Sequence, residues 1–227
     1  NRFNDSLFLI EPYAKAVVRE SAREYHCVVV DGKFDWQGVA KPNIPLDELV
    51  VYEAHARGLT RGNKALPDDL RGTYAALVHE STIAHLKKIG VNAVELLPIQ
   101  MLISEPHLLK NGLINYWGYN TINFFTPHHR YATAAAIQAG PEAIIAELKT
   151  AIRELHRNGI EVIMDVVYNH FGPSDIDIWQ FDGWQENDLG GIYFYNDDRA
   201  RTPWGWSRPD YGRGEVRAYI RDNALMW

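Results

Sequence analysis

Cysteine is nearly absent: Cys27 stands alone in 227 residues, so no disulfide can form within the chain. It lies in the apolar run Cys27-Val28-Val29-Val30 and reads as a small core residue rather than a reactive thiol. Long apolar runs are missing as well. None reaches the length of a membrane span, and no N-terminal stretch has the charged-then-apolar form of a signal peptide. The chain therefore reads as soluble and cytoplasmic, with no membrane partner. Basic clusters are equally scarce. The net charge is -6, and the densest basic stretch, Arg208 to Arg221, is interleaved with Asp210, Glu215 and Asp222. Such mixing describes a solvated helix face, and it excludes a nucleic-acid partner, which needs a basic surface.

What the chain does have is apolar and aromatic material. Hydrophobic residues make up 46%, enough for a real core, and the length suits one large domain or a piece of a larger protein. Seven Trp and 12 Tyr suit sugar binding, because aromatic faces stack on the C–H faces of sugar rings, but they suit a large ordinary core equally well.

Residues 1–48 show no clear period and carry turn signals at Asp31-Gly32 and Lys41-Pro42-Asn43, so they read as a connector. Leu49 to His55 is rich in β-branched and aromatic residues and reads as a strand. Arg57 to Arg71 reads as a loop. The spacing predicts a helix over Glu80 to Ile89, capped by Ser81, with Ile83, Leu86 and Ile89 as its inner stripe and Gly90 as its stop. A strand follows over Val91 to Ile99. The same design recurs: Pro141 opens a helix whose stripe is Ile144, Ile145, Leu148, Ile152 and Leu155, Gly159 ends it, and Ile160 to Val167 reads as a strand buried on both faces. Arg213 to Trp227 predicts a further helix, with Val216, Tyr219, Ile220 and Leu225 inward.

Three strands alternating with three helices predict a parallel α/β fold. Two stretches, Met101 to Gly140 and Phe171 to Gly212, read as long structureless loops after the second and third strands. Loops of that length are functional as a rule, and these hold most of the aromatic residues.

Several segments together resemble the alpha-amylase family of glycoside hydrolases, family 13, and within it the isoamylase and glycogen-debranching branch. Val51 to Thr60 matches that branch's first barrel strand and Gly90 to Ile99 its second. Ser104-Glu105-Pro106-His107 with Asn115-Tyr116-Trp117-Gly118-Tyr119-Asn120 matches its long second loop, and Asp165 to His170 matches the family's first conserved region. The matches span roughly residues 45 to 170 in order. Glu11-Pro12-Tyr13-Ala14-Lys15-Ala16 resembles the segment that joins an N-terminal β-sandwich to the barrel. After His170, the segments Phe171-Gly172-Pro173, Trp179 to Trp184 and Gly191 to Asn196 look more like branching-enzyme or maltooligosyl-trehalose trehalohydrolase relatives. Whether the chain belongs to an intermediate subfamily or joins two family members near residue 170 stays open at this point.

The resemblance implies a partial (β/α)8 barrel, a TIM barrel of about three βα units over residues 49–227, preceded by the connector 1–48. It implies an enzyme that cleaves α-1,6 branch points of glycogen-like polymers in glycogen catabolism by a retaining mechanism. Branching enzyme and trehalohydrolase are the alternatives within the family. The reaction uses a nucleophilic carboxylate and a protonated acid ~5 Å apart. By resemblance these lie at the ends of the fourth and fifth strands, with a third carboxylate after the seventh. All three are expected beyond Trp227, so no residue of this chain is assigned as catalytic, and the chain is expected to be inactive and unstable or associating by itself.

The resemblance assigns Tyr119 to stacking on the sugar next to the cleaved bond and His170 to a hydrogen bond with that sugar. Asp165, Asn169, Glu53, His55 and Asn120 are implied as support. Trp117, Trp179, Trp184 and Trp204 are candidates for sugar stacking, weighed against loop packing. No organic cofactor is implied. Asn169 sits where some relatives bind calcium, which makes calcium a candidate ion. Two readings of other classes remain: a metal-dependent barrel hydrolase built on His55, Asp165 and His170, and a glucan-binding module without catalysis.

Overall fold

The computed structural model describes residues 7–10, 26–171 and 178–227. The segment Glu11 to Ala16 and Gly172-Pro173 lie outside the described residues, as does the side chain of Cys27. The chain divides into two compact units. One is built from residues 29–99 and 127–165. The other is built from residues 100–126 and 166–227, together with the paired strands β1 (Leu7–Ile10) and β2 (His26–Val29).

The first unit is organised by three parallel strands, β3 (Val51–Ala54), β4 (Ala93–Leu96) and β7 (Glu161–Met164), with β4 in the middle. Ala54 pairs with Leu96 and Leu96 with Met164, so all three strands end at one edge. Parallel neighbours need a crossover rather than a hairpin. Here the crossovers carry helix α2 (Glu80–Lys88) and helix α5 (Pro141–Arg157). Both helices stop the same way. Gly90 and Gly159 adopt φ of 79° and 73°, in the left-handed region that glycine enters without a Cβ clash. The N–H of Val91 then donates to Leu86 O and that of Ile160 to Leu155 O, each 3.0 Å, which satisfies carbonyls the helix leaves open and turns the chain into the next strand.

The structure corrects several details of this unit. The cap of α2 is His79, whose Nδ1 accepts from Ser81 N–H; Ser81 itself is not the cap. Ile89 falls beyond the last turn and is exposed, and Thr82 joins Ile83 and Leu86 in the buried set. On α5, Ala151 is buried in place of the half-buried Ile145 and Ile152. Strand β7 is half-buried along its length rather than buried on both faces, because among the described residues it has a strand partner only at β4. Residues 57–71 contain a short helix, α1 (Gly58–Arg61). The connector is strapped to α5 by a row of cations at helical spacing. Lys149 Nζ donates to Gly32 O at 2.8 Å, Arg153 to Asp35 O at 2.9 Å and Arg157 to Gln37 Oε1 at 2.6 Å.

In the second unit the stretch after residue 100 is not structureless. It contains strand β5 (Gln100–Leu102), helix α3 (Pro106–Lys110) and strand β6 (Thr121–Pro127), with β5 and β6 paired. Helix α4 (Ala134–Ala139) precedes α5 in the first unit. The alternation within Thr121-Ile122-Asn123-Phe124-Phe125-Thr126 is the signal for β6, and reading the stretch as one loop passed over it. The core here is aromatic: Phe124, Phe171 and Phe194, with Tyr168, Ile178, Trp179 and Tyr219 packed around them. Helix α6 (Gly214–Met226) buries Val216 and Asn223; Leu225, expected inward, is 78% exposed. No described helix is long and apolar enough to cross a membrane.

The first unit also buries His128 and His129. Desolvation, reinforced by His129 and Arg130, holds His128 well below the usual imidazole range, and desolvation with Arg130 lowers His129 to about 4. A folded pKa below the unfolded one means that the unfolded chain binds protons first as pH falls. Stability is therefore full above about pH 6.5 and declines toward pH 4, by about 3 kcal/mol for His129 alone. The melting temperature followed by circular dichroism should drop between pH 7.5 and 4.5, and less so in His129→Gln. A melting temperature flat across that range would contradict this account.

Candidate functional site

The common edge of the parallel strands is where side chains from different strands converge. In the first unit, His55 and Asp165 follow the aligned ends of β3 and β7. His55 is 8% exposed. Its Nδ1 accepts from the N–H groups of Arg57 (3.1 Å) and Gly58 (3.0 Å), and its Nε2 lies 3.3 Å from the Tyr131 hydroxyl. The accepting Nδ1 places the ring proton on Nε2, and the ring locks the turn into α1. Asp165 is half-buried, not fully buried, and its N–H donates to Leu96 O at 3.1 Å. Glu53 is exposed on β3.

In the second unit Tyr119 and His170 come together. Their ring centroids are 5.6 Å apart, nearly perpendicular, and His170 is in turn 4.7 Å from Trp204 in a T-shaped contact. Three residues from three parts of the sequence thus form one row. The loop that presents Tyr119 is built by its own side chains. Asn115 Nδ2 donates to Glu105 Oε1 (3.0 Å), Asn115 N–H donates to Ser104 Oγ (2.9 Å), and Asn115 Oδ1 accepts from Gly118 N–H (2.9 Å). Asn120 Nδ2 donates to Ile103 O at 3.3 Å. Gly118 has φ of 92°, which lets the chain reverse just before Tyr119.

With this geometry in view, the comparisons with known proteins agree on one group. The chain is 43% identical over 197 residues to a glycogen debranching enzyme of Yersinia enterocolitica, a match that takes in 78% of this chain and 29% of that one. It is 50% identical over 143 residues to a glycogen operon protein GlgX homolog of Mycobacterium bovis, 63% of this chain and 19% of that one. Both relatives are named for glycogen debranching or the glycogen operon, the branch of the alpha-amylase family that the sequence motifs resemble. Among solved structures it resembles a pullulanase from Bacillus acidopullulyticus, with a TM-score of 0.68, 26% identity and coverage of 96% of this chain and 27% of that one. A pullulanase from Anoxybacillus sp. LM18-11 complexed with maltotriose gives a TM-score of 0.66, 29% identity and coverage of 96% and 31%. No protein-family model matches the chain. The chain spans less than a third of the length of these relatives. Because 96% of it follows one pullulanase fold, residues on both sides of position 170 fall within a single structural match.

The four candidate tryptophans have different surroundings. Trp179 packs on Phe194 at 5.3 Å within the aromatic core, so loop packing describes it. Trp184 is half exposed with the Arg213 guanidinium 5.3 Å over its ring. Trp117 is exposed and touches Tyr116 edge-on. Trp204 adjoins the Tyr119–His170 pair through His170. Asn169 is exposed and lines an open cavity with Arg199, Arg208 and Thr202 and no carboxylate. Calcium takes six to eight oxygens, carboxylates among them, so this lining does not fit that ion. Among the described residues no group of three or more His, Cys, Asp or Glu side chains is gathered closely enough to hold a metal ion.

One residue that matters to the site had no apolar signal to reveal it. Asn223 on α6 is fully buried; its Nδ2 donates to Phe124 O and its Oδ1 accepts from the Tyr168 hydroxyl, each at 2.8 Å. Tyr168 precedes His170 by two residues, so Asn223 ties the segment carrying His170 to β6 and α6. Replacing it with leucine takes the acceptor from the half-buried Tyr168 hydroxyl, while Phe124 O keeps the Trp227 indole N–H at 2.9 Å, at a cost of about 1 kcal/mol. Asn223→Leu should lower the melting temperature and speed amide exchange at 168–170; unchanged exchange there would count against this role.

Proposed function

We propose that the chain is part of an α-glucan debranching hydrolase, contributing the first three βα units of a (β/α)8 barrel and the side of the cleft that holds the sugar next to the cleaved bond. The observation that carries this reading is the Tyr119–His170 contact. Two motifs far apart in sequence, each pointing to the same sugar by resemblance, present adjacent rings. The tyrosine offers an aromatic face for stacking and the imidazole a hydrogen bond to a hydroxyl. His55, Asn120 and Asp165 act as support: the first locks the turn after β3, the second joins the two arms of the loop before Tyr119, and the third continues the β4–β7 ladder. Glu53 is exposed on β3 and supports from that strand.

The relatives support the substrate class. They are glycogen debranching enzymes and pullulanases, one of them complexed with maltotriose. The reaction is a retaining double displacement at an α-1,6 branch point, driven by paired carboxylates. No residue of this chain is proposed as nucleophile or proton donor. What the chain contributes is binding and orientation, which lower the barrier by holding the anomeric centre in place for attack.

Calorimetric titration of the chain with maltotetraose tests the reading. Binding is expected, with Tyr119→Ala and His170→Ala each weakening it about tenfold, the scale of one lost stacking or hydrogen-bond contact. Tyr119→Phe should keep most of the affinity, because the stacking face remains. A chain that binds no maltooligosaccharide, or variants that bind as well as the original, would reject the proposal.

A further inference from the structure

The sequence contains two Asn-Gly pairs, Asn111-Gly112 and Asn158-Gly159, and the fold uses them alike. Each asparagine stands just past a helix, α3 and α5, and each glycine takes a left-handed turn, with φ of 68° and 73°. The same closing bonds follow. Gly112 N–H donates to Leu109 O and Leu113 N–H to Leu108 O, as Gly159 N–H does to His156 O and Ile160 N–H to Leu155 O. Asparagine before glycine carries a chemical weakness, because glycine has no side chain to screen its nitrogen from the preceding amide. We propose that Asn111 is a site of spontaneous deamidation, a modification that loosens α3, and that the fold shields Asn158 from the same reaction.

The reaction needs only water. The Gly112 nitrogen attacks Cγ of Asn111, and the new C–N bond closes a five-membered succinimide. The side-chain amide nitrogen leaves as ammonia, carrying the proton that the Gly112 nitrogen gives up. Water then opens the ring. Cleavage at Cγ gives aspartate; cleavage at the main-chain carbonyl gives isoaspartate, whose backbone runs through Cβ and Cγ. Closure requires Cβ and the next nitrogen on the same side of the Cα–C bond. Asn111 and Asn158 have ψ of 11° and 7°, which turns the next nitrogen toward the residue's own N instead. Each must leave its helix end before it can react, so the free energy of local opening sets the rate.

The two helix ends differ in that cost. Helix α3 has five residues, none of them buried, and Leu113 and Ile114 beyond it are each 57% exposed. A helix this short has little to hold it closed. Helix α5 has 17 residues and buries Ile144, Leu148, Ala151 and Leu155. Asn158 is held at both ends of its amide, with Nδ2 donating to Glu154 O and Oδ1 accepting from Lys87 Nζ, each at 2.9 Å. The chain beyond it enters β7, where Glu161 N–H donates to Asn92 O at 2.8 Å. Opening there disturbs the parallel sheet, whereas opening at Asn111 disturbs one exposed turn.

The product loosens α3 further. Asn111 Nδ2 donates to His107 O at 2.7 Å; a carboxylate cannot, and the dipole disfavours negative charge at a helix C-terminus. Isoaspartate also lengthens the backbone and breaks the closing bonds. Glu105, at the start of α3, accepts from Asn115 Nδ2 at 3.0 Å, so the change reaches the loop that presents Tyr119. The inference stands apart from the sugar reading and holds whether or not the chain binds a glucan.

The experiment incubates the chain at mildly alkaline pH and follows both pairs over time by peptide mass spectrometry, with isoaspartate counted by enzymatic methyl transfer. Rates are taken relative to a portion unfolded in urea, where both asparagines are exposed alike. In the folded chain Asn111 should react about tenfold faster than Asn158, or more. Asn111→Gln, which would have to close a six-membered ring, should remove isoaspartate from residues 106–114, and Asn111→Asp should speed amide exchange across 106–118. The unaltered chain decides the site even where a variant fails to fold. Equal relative rates at the two asparagines, faster reaction at Asn158, or no reaction at Asn111 while the unfolded portion reacts would overturn the site. Unchanged exchange in Asn111→Asp would overturn the loosening of α3.

Discussion

A parallel strand cannot return to its neighbour by a hairpin, and that constraint shapes everything else in the first unit. From β3 to β4 and from β4 to β7 the chain must cross back over the sheet, so it carries a helix each time. All three strands then end at one edge. Whatever follows a strand is delivered to that edge: His55 after β3, Asp165 after β7. The edge is the place where residues distant in sequence can be gathered without special folding of any one loop.

The second unit obeys a different constraint. Its two-strand sheets are too small to satisfy a long stretch of irregular backbone, and every buried polar group needs a partner. Side chains supply them. Asn115 serves three groups of the loop that presents Tyr119, Asn196 binds the backbone at Gly191 and Phe194, and Asn223 spans Phe124 and Tyr168. The short amide can donate and accept at once, which suits it to closing loops back on themselves. Around these links the rings of Phe124, Phe171 and Phe194 provide the apolar weight. In this setting the Tyr119, His170 and Trp204 rings lie in contact.

The family resemblance and the geometry bear on different questions. Sequence similarity places the chain among the glycogen-debranching relatives and says which positions to inspect. It does not say what surrounds each position here. Asn169 illustrates the difference: an asparagine that suggests calcium when read alone shares its cavity with Arg199 and Arg208 and with no carboxylate in the lining. The tryptophans illustrate it again. Four indoles of equal promise in the sequence divide into one core residue, one under a guanidinium, one exposed on the second loop and one beside His170.

Some of this protein was determined by the sequence alone, because local chemistry decides it. The glycines after α2 and α5, the proline at the start of α5 and the Val- and Ile-rich strands follow from backbone freedom and periodicity, and they appear where the pattern puts them. Other features depend on what lies across the fold. The half-burial of β7 reflects its having one strand neighbour among the described residues, and the exposure of Leu225 with the burial of Asn223 reflects the polar groups that α6 meets on Phe124 and Tyr168. Strand β6 and the cavity walls at 195–211 likewise take form through partners distant in sequence. Periodicity records which way a side chain faces along its own element. Only the packed structure shows what it faces, as the row of rings at Tyr119, His170 and Trp204 illustrates.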